Sequence, residues 1–512
     1  MSKLKKTAIW ITLLALVLKF IGFIREGMIA QEFGANDYTD GFLLAFTFVT
    51  LIKTLIKNGF NSVFLPQYVQ SRKENEQLAE QNANSLLNYT ILLLIAISGV
   101  CYLLTPFFVP IVFGSMSPVT EEVTIEMTKV FFLFMLLIGL TSVLESYLQA
   151  VRSFVPNQIV NILGTLMATV FILLFADVWG IYSIAYGFIF GLFIGLLLQI
   201  YYLYKYGYRW KPTLKVERVF LKTFTILLVP ALLHSSVGHI NVFVNKLFAS
   251  GTVSGAVTYL NNSSLLMSIP SAIFQTTIVA IVFTLLAEQA DQKEKFKNTL
   301  YLGYQLGLLV LLPIAIGIWL VGEAAISFIY ERGAFSAEDT QNTVVALNMY
   351  IPLIVTQGLL LIPVKGMYAI GQTKKLLMIS STTIFFNALF NYLFLIPFGY
   401  PGLALSSSVV SFFYLVFLTT ALYKNYPKSE LLRLVTLFVK VAIPTAFMAV
   451  PILLLQWFTP IKEIYSLYQL IIIVPVGAIA YVMGLFLFYK EGFNKMLEVL
   501  RKKRKKKETT PK

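Results

Sequence analysis

The chain has 512 residues, 57% of them hydrophobic and 13% charged, with a mean hydropathy of +0.77. A soluble protein carries about 25% charged residues, so this composition excludes a cytosolic enzyme, a disulfide-stapled secreted domain and a soluble nucleic-acid binder. The net charge of +15 is concentrated at one end: nine basic residues lie between Lys490 and Lys507, including the unbroken run from Arg501 to Lys507.

A bilayer-spanning helix needs ~20 apolar residues, and fourteen such helices would use about 280 positions, which 57% of 512 can supply. In chain order, apolar stretches fall near residues 8–24, 41–57, 85–109, 128–149, 158–176, 181–204, 222–247 and 256–286. They continue near 299–320, 341–363, 376–397, 402–423, 435–457 and 467–489. The first follows Met1-Ser-Lys-Leu-Lys-Lys6 but lacks a small-residue cleavage site, so it reads as a retained helix and not as a removed leader. The eighth is long enough to tilt or to break at Pro270. The longest connections, around 58–84, 205–221 and 321–340, leave no room for an extramembrane catalytic domain. The expected fold is therefore an all-α polytopic membrane protein with about fourteen transmembrane helices.

Charge gives the orientation, because connections on the cytoplasmic side accumulate Lys and Arg. Every second connection carries basic residues: Arg72 and Lys73; Arg152; six between Lys205 and Lys222; Lys293, Lys295 and Lys297; Lys365, Lys374 and Lys375; Lys424, Lys428, Arg433 and Lys440. With Lys3, Lys5, Lys6 and the tail, these make 32 of the 40 Lys and Arg. The opposite connections carry Glu121, Glu122, Asp177, Glu323, Glu338 and Asp339. The alternation places both termini in the cytoplasm of a cell whose plasma membrane the chain crosses, with the tail against anionic lipid.

The halves resemble each other weakly. Gly22-Phe-Ile-Arg25 aligns with Gly238-His-Ile-Asn241, and Val63-Phe-Leu-Pro66 with Val282-Phe-Thr-Leu285. The offset corresponds to six spans, so a parallel six-plus-six repeat with a terminal pair is expected, a pattern found in alternating-access transporters. The resulting divisions are an N-lobe over 1–204, a basic linker over 205–221, a C-lobe over 222–423, a helix pair over 424–489 and a tail over 490–512.

An ionisable group within a span is costly unless it faces a polar cavity. Lys19 lies inside the first span, Arg25 and Glu26 close it, Asp40 opens the second, and Lys53 and Lys57 share a face near its end. Lys19 and Arg25 are six residues apart, about 120° around a helix. One reading has Lys19 and Lys57 snorkelling to an interface and Arg25 pairing with Asp40. The other gathers Lys19, Arg25 and Lys53 into a cationic cavity suited to a phosphate or pyrophosphate. Glu145, within the fourth span, is either a proton carrier or the counter-ion of a cavity lysine.

Gly22-Phe-Ile-Arg25-Glu26, Phe33-Gly34-Ala35, Thr39-Asp40 and Phe64-Leu65-Pro66 resemble the N-terminal signature of the MurJ (MviN) lipid II flippases of the multidrug/oligosaccharidyl-lipid/polysaccharide (MOP) exporter superfamily. Phe248-Ala249-Ser250, Tyr330-Glu-Arg-Gly333-Ala-Phe335, Asp339-Thr340, Met367-Tyr368-Ala369 and Gly402-Leu403-Ala404-Leu405 extend the likeness in order along the chain. The resemblance implies movement of an undecaprenyl-pyrophosphate-linked peptidoglycan precursor to the outer leaflet for cell wall biogenesis and cell shape, with no chemistry on the cargo. It also implies substrate-binding roles for Lys19, Arg25 and Lys53, where Lys stands for the family's Arg at two positions. A further arginine of the family's eighth span falls near Leu265 and is absent. That departure keeps a capsule, teichoic acid or exopolysaccharide carrier open as an alternative.

Asn387 and Asn391 lie i,i+4 on the eleventh span, with Asn245 in the seventh and Ser407 in the twelfth. The resemblance suggests a cation site there, although neutral oxygens bind a cation weakly and interhelical hydrogen bonding accounts for them equally. No cofactor is expected; coupling to Na+, H+ or membrane potential stays open, as do contacts with cell-wall synthesis machinery. Cys101 is the only cysteine, and His234 and His239 alone do not make a usual metal site. A cation-coupled multidrug exporter would call for cavity carboxylates where this chain has lysines. A membrane glycosyltransferase would call for a carboxylate cluster or a large outer loop. The chain has no nucleotide-binding loop, so its own transport is not driven by ATP.

Overall fold

A computed structural model describes residues 3–275 and 279–498. The described residues form helices and no strand. In order these are α1 Lys3–Phe33, α2 Asp37–Gly59, α3 Leu65–Glu74, α4 Glu76–Phe113, α5 Pro118–Leu133, α6 Met135–Ala150, α7 Val155–Trp179, α8 Tyr182–Lys205 and α9 Arg218–Ala249. There follow α10 Ala256–Phe274, α11 Ala280–Glu288, α12 Lys293–Tyr330, α13 Ala337–Ala369, α14 Thr373–Phe398, α15 Pro401–Tyr423, α16 Lys428–Phe458 and α17 Ser466–Phe488. Among the described residues ten helical segments are long and apolar enough to cross a membrane, and two bent pairs do so together. Helix α1 and the α10–α11 stretch fall on the first and eighth apolar stretches of the sequence. This is a multi-pass membrane protein. The basic run 501–507 and the side chain of His234 lie outside the described residues.

Several expected connections prove to be helix. Residues 58–84 are not a loop: α2 passes into a single π turn, Phe60–Phe64, and continues as α3 to Glu74, with α4 starting at Glu76. The cause is Pro66, which lacks an N–H and crowds the carbonyl four residues back. The preceding turn widens, and the Leu65 N–H bonds the Phe60 carbonyl. Helices also fill most of 321–340, leaving only 331–336 between α12 and α13. The eighth stretch does not break at Pro270, since α10 runs through it to Phe274. The fourth span bends by 55° between α5 and α6, and the seventh bends by 52° between Leu232 and Val237, just after Pro230.

The chain divides into two compact units. The first comprises residues 1–258 with 332–336, the second 259–331 with 337–512. Helix α9 falls in the first unit, where it packs along α2, α4 and the π turn. Within the first unit α2 is central, lined by α5, α6 and α9, while α1 lies along α7 and α7 pairs with α8. A buried aromatic group gathers at the π turn, where Phe64 stacks on Tyr147 at 4.4 Å and Tyr68 at 5.2 Å. In the second unit α12 is central, with α13 on one side and the α16–α17 pair on another, and α15 joins α13 to α14.

Segment 332–336 folds onto the end of α1 within the first unit. Ala334 N–H donates to the Gln31 carbonyl at 2.8 Å. Gly34 has φ +70 and faces the Ala334 carbonyl, where an added Cβ would come to 2.6 Å; Gly333, φ +57, abuts the Gln31 carbonyl. Both positions need glycine for conformation and for space.

Candidate cationic site

The side chains singled out in the first spans belong to the first unit. Arg25 is half-buried and pairs with the neighbouring buried Glu26. Its guanidinium also lies 5.4 Å from the centroid of the Phe46 ring. The buried Nε of Arg25 has no acceptor among the described residues. Lys53, further along α2, sits 5.4 Å from the Phe188 ring of α8. Phe46 and Phe188 meet edge to face at 5.3 Å. A chain of two rings in contact thus connects Arg25 to Lys53, each ring attracting its cation. Lys19 is exposed, six residues before Arg25 on α1.

Lys57 has a carboxylate partner. Its Nζ pairs with Glu145 of α6 at 2.8 Å, with the carboxylate side chain 9% exposed. Gln149 holds the same carboxylate oxygen at 3.1 Å. Glu145 is thus the counter-ion of a lysine, and Lys53 lies within the field of both partners. Next to Glu145, Ser146 donates to the side chain of Asn61, four residues after Lys57 in the π turn, at 2.6 Å.

Asp40 is not the partner of Arg25. It is buried and caps the start of α10, accepting from the Thr258 N–H at 2.9 Å, the Thr258 hydroxyl at 2.6 Å and the Val257 N–H at 3.3 Å. A carboxylate at a helix N-terminus satisfies orphan donors and complements the helix dipole. Lys246 of α9, not singled out in the sequence, is buried within the field of Glu26, Asp40 and Arg25. Its presence in the seventh apolar stretch, beside Asn245, was the signal available.

These placements sort the charge. Arg25, Lys246, Glu26 and Asp40 form a group with two charges of each sign. Lys53, Lys57 and Glu145 form a second group with an excess of one positive charge. The uncompensated positive charge lies with the second group, which contains Lys53; Lys19, exposed on α1, belongs to neither group.

In the second unit Asn387 and Asn391 are buried on α14, with the Asn391 amide donating to the Asn387 side-chain oxygen at 3.4 Å. Ser406 donates to the Asn387 carbonyl at 3.3 Å, and the Ser407 hydroxyl to the Leu403 carbonyl of its own helix at 3.1 Å. Asn245 belongs to the first unit. Leu265 is half-buried on α10. Among the described residues no three His, Cys, Asp or Glu side chains are grouped to hold a metal ion.

Long apolar helices around buried, partly balanced cations define a multi-pass helical transporter, and solved structures share its fold. A lipid II flippase MurJ in an inward closed conformation superposes with a TM-score of 0.81, at 20% identity over 94% of this chain and 98% of that one. An inward-facing MATE family transporter of the MOP superfamily gives 0.65, at 14% identity over 80% of this chain and 96% of its own. Residues 29–474 match the family model described as lipid II flippase MurJ, and the chain belongs to that family. It is 26% identical to the probable lipid II flippase MurJ of Buchnera aphidicola subsp. Schizaphis graminum, over 94% of this chain and 96% of the relative. With the probable flippase of Rickettsia prowazekii it shares 23% identity over 95% of this chain and 97% of the relative.

Proposed function

We propose that the protein moves lipid II, the polyprenyl-pyrophosphate-linked peptidoglycan precursor, from the inner to the outer leaflet by alternating access, without chemistry on the cargo. The observation that carries this reading is the family match over 29–474, supported by relatives similar over nearly their whole length. Both termini and the basic connections face the cytoplasm in this reading, following the distribution of Lys and Arg. Lys19, Arg25 and Lys53 supply the contacts to the pyrophosphate. The excess charge at Lys53, its ring support and the spare Nε–H of Arg25 favour these roles.

Depleting the protein in its own cells and quantifying lipid-linked precursors in each leaflet tests the assignment. Lipid II should accumulate on the inner leaflet. Build-up of a capsule or teichoic acid precursor with lipid II unchanged would overturn it.

A further inference from the structure

The connection between α8 and α9 is a strap without regular structure, yet it is held along its length by one face of α4. Helix α4 has 38 residues, about 57 Å at 1.5 Å per residue, while a bilayer core is ~30 Å thick. Its first turns therefore project beyond the core, and there Asn82, Asn84, Ser85 and Asn88 are buried against the strap. Asn84 accepts from the Lys211 N–H at 2.9 Å and donates to the Arg209 carbonyl at 3.2 Å. Asn88 donates to the carbonyls of Lys211 and Thr213, both at 2.8 Å, and accepts from the Trp210 indole at 2.9 Å. Ser85 donates to the Lys215 carbonyl at 2.6 Å, and Asn82 accepts from the Glu217 N–H at 2.8 Å.

With its backbone groups taken up by α4, the strap turns its cations outward. Arg209, Lys211 and Lys215 are exposed, as are Lys205 at the end of α8 and Arg218 and Lys222 in the first turns of α9, against one carboxylate in the same stretch, Glu217. Trp210 and Leu214 stand among them, 50% and 47% exposed, and Tyr201 and Tyr204 continue the aromatic band on the last turns of α8. Fixed cations with exposed aromatic and apolar side chains, at the end of a membrane-spanning helix, match the headgroup layer of a bilayer: anionic phosphodiesters for the cations, the acyl boundary for the rings.

We infer that the strap 206–217, with the flanking helix ends that carry Lys205, Arg218 and Lys222, is a docking surface for anionic phospholipid headgroups, the strap being held in shape by the asparagines of α4. Its assignment to the inner leaflet rests on the orientation proposed above; its lipid preference does not. Each basic side chain close to an anionic surface favours association roughly fivefold, so removing four should erase any preference.

The test uses the full chain in nanodiscs of equal phosphatidylglycerol and phosphatidylcholine, with benzoylphenylalanine at Leu214. After irradiation, adduct masses report which lipid lies against the strap. We expect phosphatidylglycerol adducts to exceed phosphatidylcholine adducts about tenfold or more. The ratio should fall to about one when Arg209, Lys211, Lys215 and Arg218 are changed to Gln, and it should fall steeply with salt in the unaltered chain. Asn84→Ala with Asn88→Ala should lower it while every cation is kept. Equal adducts in the unaltered chain, or an excess indifferent to salt, would overturn the inference even if the Gln variant failed to assemble. In a Cys101→Ser background, Lys215→Cys should stay unreacted with an impermeant maleimide in intact cells. Reaction there would overturn the orientation, while the adduct ratio would still judge the lipid preference alone.

Discussion

Phe46 of α2 and Phe188 of α8 meet edge to face at 5.3 Å, and each carries one cation, Arg25 on the first ring and Lys53 on the second. The rings offer attraction without charge neutralisation. Arg25 also shares its guanidinium with the Glu26 carboxylate, so Lys53 is the cation whose charge stays more available to an anionic ligand. Cation–π contacts contribute ~0.5–2 kcal/mol depending on desolvation. Phe188→Leu should therefore reduce lipid II transport about 2- to 30-fold at unchanged expression. The effect should vanish in a Lys53→Ala background, measured as a double-mutant cycle in a reconstituted flipping assay. Additive losses would mean the ring serves packing alone.

The Lys57–Glu145 pair leads to a different expectation. Breaking one side of a largely buried pair leaves a charge uncompensated, and Glu145→Gln would leave Lys57 and Lys53 facing each other. That variant should unfold at lower temperature in detergent, by an amount worth about 1.5–3 kcal/mol. Lys57→Met combined with Glu145→Met should regain most of the stability and keep transport. Recovered stability with transport abolished would instead make Glu145 a proton carrier.

The membrane-spanning pattern was legible because its signal is collective: each span is a run of apolar residues. The π turn was less so, since Pro66 marks a disturbance without saying whether the helix ends or widens. Pairing was least legible. Arg25 has Glu26 beside it and Asp40 further on, and only the fold decides that Glu26 takes the guanidinium while Asp40 caps α10. Lys246 was within reach of the sequence, being one of the eight Lys and Arg left after 32 of the 40 are assigned to the basic connections and termini. Its environment of Glu26, Asp40 and Arg25 depends on how α1, α2 and α9 pack.

Asp40 separates a structural carboxylate from a coupling one. Asp40→Asn keeps an oxygen able to accept from Thr258 and should retain most of the stability and transport. Asp40→Ala leaves the Val257 and Thr258 donors buried without an acceptor and should cost about 1–3 kcal/mol. Thermal unfolding and complementation of a depleted strain together check this. An Asn variant that is stable but inactive would show that the charge itself is required.

The contact between segment 332–336 and the end of α1 should be intolerant of any side chain at its two glycines. At Gly34 a methyl group meets the Ala334 carbonyl at 2.6 Å in a left-handed backbone conformation, and at Gly333 it meets the Gln31 carbonyl. Gly34→Ala and Gly333→Ala should each cost about 1–3 kcal/mol. The loss should appear as faster protease cleavage near 332–336. Gly22→Ala, where nothing lies within 4 Å, should be silent in the same assay. Cleavage at equal rates in all three variants would mean that the contact is not maintained in the membrane.

Charge and shape can be told apart at the cations themselves. If Lys19 and Lys53 act by positive potential, Lys19→Arg and Lys53→Arg should complement a depleted strain, while Lys19→Ala and Lys53→Ala should fail at normal membrane abundance. Arg25 differs, because its guanidinium is divided between Glu26 and the Phe46 face and keeps an Nε–H in reserve. A lysine there could hold Glu26 but not present a planar fork. Arg25→Lys should therefore be the most damaging of the three conservative changes. One charged hydrogen bond is worth about 1.5–3 kcal/mol, roughly 10- to 150-fold in binding, within the resolution of a graded complementation assay. Lys246→Ala should act differently again, lowering thermal stability before transport, because it removes a positive charge from a group that is otherwise balanced. Full activity of the alanine variants at Lys19, Arg25 and Lys53 would remove these cations from the substrate path and leave them as anchors of the helix packing.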